Sequence, residues 1–108
     1  MTIVNLTCHK VDVYDKKKNL IKSYPPQGIE CRIDEKRTAS GEIDGVPLIK
    51  KQFSNPVNLP EPSPNVAYIV SSQVVDTLRG KRSDIMAPDG LIRDEDGRII
   101  GCTQFWHG

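Results

Sequence analysis

Apolar residues in this chain fall in short alternating runs, broken by turn residues at close intervals. That rhythm has the period of strands rather than of helices. Ile3-Val4-Asn5-Leu6 predicts a first strand. Val11 to Tyr14 and Asn19 to Tyr24, separated by Asp15-Lys16-Lys17-Lys18, predict a hairpin. Pro25-Pro26 breaks the ladder, because proline has no N–H to donate. Ile29 to Ile33 alternates again, with Ile29, Cys31 and Ile33 on one face. Asp44-Gly45, between Glu42-Ile43 and Val46 to Phe53, predicts a tight hairpin, since its favoured turn needs positive φ at both central residues.

The most continuous apolar run is Val66 to Val70, which predicts a central strand buried on both faces. Ser71 or Ser72 then offers an N-cap. Val74, Val75 and Leu78 share one face of a helix over about 72–79, and Gly80 stands where a left-handed residue ends it. Asp96-Gly97 turns Leu91-Ile92-Arg93 back into Arg98 to Cys102, a last hairpin. Residues 54–65 hold four prolines and form an extended loop inside one domain. The fold expected over 1–108 is mostly β (α+β): a small single-domain antiparallel sheet or barrel-like fold of several hairpins with one short helix.

Composition narrows the partners. A charged fraction of 27% and an apolar fraction of 37% suit a soluble globular chain. The net charge of +1 argues against binding long nucleic acid through charge alone. No apolar run approaches a membrane span, and the N-terminus lacks the pattern of a signal peptide. Three widely spaced cysteines, Cys8, Cys31 and Cys102, fit reduced thiols in a cytoplasm. They are expected to be small buried apolar residues. No cofactor, metal or nucleophile motif is present, so no cofactor, metal ligand or catalytic residue is assigned. Pro88-Asp89-Gly90 and Asp94 to Gly97 lack the spacing of a calcium loop and read as turns.

Two constellations suggest binding. Asn5, Thr7 and His9 alternate along the first strand, so they would share a polar face. Ser71 and Ser72 open a helix, where N–H groups favour anions, and Arg79, Lys81, Arg82, Asp84 and Asp89 follow. The cations lie beyond the helix, so convergence with the serines is an assumption. Trp106 near the end is expected to pack.

Taken together, Ile3-Val4-Asn5-Leu6-Thr7-x-His9, Leu59-Pro60-Glu61-Pro62, Tyr68 to Ser72, Gly80-x-Arg82-x-Asp84, Pro88-Asp89, Arg93 and Gly97 to Cys102 resemble a family of small hypothetical proteins from phages, prophages and bacteria. Cys8 departs from that pattern, which has proline there. The resemblance carries over no catalytic residue. It implies a small phage-like protein acting in the host cytoplasm against a defence system. The expected function is binding and holding a phosphate-bearing small ligand such as a nucleotide signal. The expected site is Asn5, Thr7, His9, Ser71, Ser72, Arg79, Arg82, Asp84, Asp89 and Arg93, in a homo-oligomer. On this reading Arg82→Ala abolishes binding and leaves stability nearly unchanged. The alternative is a protein–protein interaction module, an inhibitor of a host protein or a virion accessory protein, using the proline-rich loop and exposed strand edges. A hydrolase or lyase using His9 with Asp84 or Asp89 ranks behind both.

Overall fold

The computed structural model describes residues 1–108. Strand β1 (Thr2–Asn5) lies parallel to β6 (Val66–Ile69), which lies parallel to β7 (Ile85–Asp89). Strand β10 (Gln104–Trp106) closes this sheet antiparallel to β7, giving the order β1-β6-β7-β10. Helix α1 (Ser72–Thr77) crosses from β6 to β7. Three hairpins complete the chain: β2 (Val11–Tyr14) with β3 (Leu20–Tyr24), β4 (Glu35–Ile43) with β5 (Val46–Phe53), and β8 (Ile92–Arg93) with β9 (Ile99–Gly101). The fold is mostly β with one short helix, as the alternation predicts. The sheet is open rather than a barrel, and its centre is parallel rather than antiparallel. No helix is long and apolar enough to cross a membrane.

The core has two sides because β6 has two buried faces. Tyr68 and Val70 pack with Val74, Val75 and Leu78 of α1, together with Leu6, Ile85 and Ala87. Ile69 points the other way, into a smaller cluster with Val11 and Cys102 beneath the β2–β3 hairpin. The architecture is therefore three layers: helix, mixed sheet, hairpin.

Turn chemistry holds where the sequence placed it. Ser71 caps α1, its side chain accepting from the N–H of Val74, and Gly80 ends the helical segment at φ +78°. The regular helix stops at Thr77, two residues short of the expected end, because the last turn tightens, with Arg79 N–H donating to Asp76. Asp44 and Gly45 take φ of 51° and 78°, the two positive values a tight hairpin needs. The segment Ile29–Ile33 is not a strand. Cys31 alone is buried, its N–H donating to Leu6, and Arg32 makes one isolated bridge to Val57.

The β4–β5 hairpin stands outside the core. Every residue of both strands is exposed. The radius of gyration is 16.8 Å, against about 13 Å for a compact chain of this length.

Substitutions should separate the two regions. Ile69→Ala, at a site with no solvent exposure, should lose about 3 kcal/mol. Ile49→Ala, on the arm, should stay within about 0.5 kcal/mol of the parent. Urea denaturation of both variants checks this, and equal losses would mean the arm is packed into the core.

Candidate functional site

Strand β1 ends at Asn5, so the polar alternation expected through Thr7 and His9 does not form. Asn5 is 1% exposed and fully engaged. Its Nδ2 donates to the carbonyls of His9 at 2.8 Å and Tyr24 at 2.9 Å. Its Oδ1 accepts from the Thr7 N–H at 2.9 Å and the Thr7 hydroxyl at 2.6 Å. The Thr7 hydroxyl also approaches the His9 carbonyl at 2.9 Å. Asn5 and Thr7 thus fold the chain reversal after β1 and tie it to β3. Only the His9 side chain is free to face a ligand.

The second constellation is likewise occupied by internal partners, although Ser71, Ser72 and Arg79 are exposed. The Ser71 hydroxyl caps α1, and the Ser72 hydroxyl accepts from the Trp106 indole N–H at 3.1 Å. Arg79 pairs with Asp76 at 2.9 Å, with its guanidinium carbon 5.7 Å from the centre of the Trp106 ring. Arg82 donates to both oxygens of Asp84, at 2.8 and 2.7 Å, and to the Pro60 carbonyl at 2.9 Å. These two side chains are only 18% and 15% exposed. The pair fastens the proline-rich loop to the entry of β7. Gln104 donates to Asp89 across the β7–β10 pair, and Arg93 donates to the Gly97 carbonyl within its own turn. Of the ten expected site residues, only Thr7 and His9 line any surface groove, and they line different ones.

The groove at His9 is formed by residues the sequence did not single out. One wall is the start of β2, with Lys10 and Asp12. The other is β9, with Ile99 and Ile100, and Pro88 and Leu91 close one end, enclosing about 260 Å³. The walls are tied because the Tyr14 N–H donates to Cys102 and the Cys102 N–H to Asp12. Gly101 permits this closeness, since a Cβ there would strike the Tyr14 ring and the Asp12 carbonyl. Asp12 is buried. The Ser23 hydroxyl holds its carboxyl below the usual range, burial opposes this, and Lys10, 3.3 Å away, adds to the lowering. The signal for this groove was the run His9-Lys10-Val11-Asp12 facing Ile99-Ile100, a pairing across ninety residues of sequence that no local pattern shows.

Burial pushes the Cys31 and Cys102 thiols up, consistent with small core residues. Cys8 departs from that expectation and is exposed, because it sits on the turn that Asn5 and Thr7 stabilise. No family model, no curated protein and no solved structure matches the chain.

Arg82→Ala should therefore cost stability. It strips the partner from a mostly buried carboxylate and a donor from Pro60, a loss of about 2 kcal/mol. Arg82 holds the Asp84 carboxyl below its ordinary value, against the opposing effect of burial. A folded-state value below the unfolded one contributes stability that is present above about pH 4 and is lost as pH falls through the folded value. Asp84→Asn should therefore flatten the acid limb of the stability profile measured by thermal melts. An unchanged limb would mean that Asp84 is not paired in solution.

Proposed function

We propose that the protein is a protein–protein interaction module that engages its partner through the β4–β5 arm. The observation that carries this is the arm itself, two strands of nine and eight residues with every position exposed. An isolated two-stranded hairpin is marginal in water, so a long one gains definition from what it binds. Both outer strand edges are open, and strand edges offer a row of main-chain donors and acceptors to a partner. The proline-rich loop contributes less, because Arg82 and the Arg32–Val57 bridge fasten it to the body.

A small phosphate-bearing ligand is the second reading, supported by His9 and Lys10 opening on one groove. It draws on one of the residues expected from sequence and on none of the arginines, each of which has an internal partner or lies elsewhere. An enzymatic role for His9 with Asp84 or Asp89 lacks a meeting point, since neither carboxylate lines a groove with it.

A photo-crosslinking residue at Leu48 should give a protein adduct in cells, whereas the same residue at Lys16 should give none. Native mass spectrometry of the purified protein provides the opposing result. A co-purifying nucleotide together with no adduct at Leu48 would replace the interaction module with the ligand reading.

A further inference from the structure

The arm is not uniform. Its base carries Glu35, Lys36, Arg37, Lys50 and Lys51, charges of the kind that keep an open strand edge from pairing at random. Between Thr38 and Ile49 the only charges are Glu42 and Asp44, so the tip is acidic. Ile43 pairs with Val46 across the turn, and Leu48 lies two residues along β5 on the same face as Val46. These three make one apolar face at the tip. Ile43 and Val46 are 61% and 62% exposed.

The groove at His9 has the complementary character. Leu91, Ile99 and Ile100 are large apolar residues left about half exposed around it. Its rim presents one cation to solvent, Lys10, whose side chain is 70% exposed and is paired at 3.3 Å with Asp12, withdrawn at 9%. The chain therefore carries a convex, apolar, acidic tip and a concave, apolar groove with Lys10 on its rim, neither covered by anything else in the fold.

Building on the interaction-module reading, we infer that the partner is a second copy of this chain, with the arm tip of one copy seated in the Lys10–Ile100 groove of the other. Ile43, Val46 and Leu48 meet Leu91, Ile99 and Ile100, and Asp44 in the turn meets Lys10. One such contact covers on the order of 600 Å², and a reciprocal exchange of arms on the order of 1,200 Å², the lower bound for stable interfaces. Reciprocity also closes the assembly, because each copy then has its arm and its groove both filled.

Sedimentation velocity over a concentration series tests this. The expected result is a reversible dimer. Val46→Asp on the arm and Ile100→Asp in the groove should each weaken it at least about tenfold. Both sites are exposed, and unchanged melting temperatures confirm that the variants fold. A mixture of the two variants should associate better than either alone, because the arm of one and the groove of the other are intact. Asp44→Lys should weaken the dimer, and Lys10→Glu should restore part of it. A wild-type protein that stays monomeric, or a dimer indifferent to both aspartate variants, overturns the inference. A monomer that still crosslinks another protein through Leu48 overturns it while leaving the interaction module standing. A monomer with no adduct at Leu48 overturns both.

Discussion

Strand β6 packs Tyr68 beneath α1 and Ile69 beneath the β2–β3 hairpin, and so joins two apolar clusters that lie on opposite faces of the sheet. A chain of this size has few fully buried side chains to hold it together. Four of the largest of them, Ile69, Val70, Val74 and Val75, fall within seven consecutive residues. The strand, the capping serine and the helix are thus one continuous piece of sequence that forms the middle layer and half of its cover. Other elements pack against it through Leu6, Ile85, Ala87, Val11 and Cys102, and side-chain hydrogen bonds add ties between them. Asn5 ties β1 to the end of β3, Arg82 ties the proline-rich loop to β7, and Trp106 ties β10 to the first turn of α1.

That division of labour explains why polar residues that look functional are structural here. A small core leaves many chain reversals without apolar support, and their backbone groups still need partners when partly buried. Asn5 satisfies two carbonyls and one N–H at a single reversal, which few other side chains can do, since an amide both donates and accepts. Arginine serves similarly at the proline-rich loop, where Pro60 offers a carbonyl and no nearby backbone N–H returns to it. A charged or amide side chain flanked by turns is therefore an ambiguous sign. Asn5 and Arg82 read as ligand-facing until their partners are known.

Much of the local structure was legible because it rests on local chemistry. The both-face burial of Val66 to Val70, the serine cap, the Asp44-Gly45 turn and the β2–β3 and β8–β9 hairpins each depend on neighbours within a few residues. Strands β7 and β10 were not legible. Pro88 argues against a strand, yet pairing of β7 with β6 ends at Met86. The missing N–H therefore falls where β6 has already passed into the helix, and costs no ladder bond. The parallel pairing of β1 with β6 was hidden for a different reason. Sixty residues of hairpin and loop separate the two strands, and no spacing rule links them. The groove at His9 inherits that difficulty, since its two walls come from opposite ends of the chain.

The arm poses the remaining physical question, which is why a chain with so little core places seventeen strand residues outside it. Ordering them costs conformational entropy with almost no burial in return. The turn offsets part of this, because Asp44 and Gly45 match the twist of the flanking strands. The base charges keep the edges soluble without stabilising the pairing much, as exposed ion pairs such as Glu35 with Arg37 and Lys51 contribute little. What is left unbalanced is the apolar tip, three side chains that gain nothing from the fold and would gain from being covered. An apolar covering surface exists on the same molecule, but its groove is built between β2 and β9, whose Val11 and Cys102 neighbours pack in a different cluster from Leu59 of the proline-rich loop. The tip is not packed in its own groove, so closing the contact requires another surface of the same kind, and a second copy presents one at no further cost in sequence.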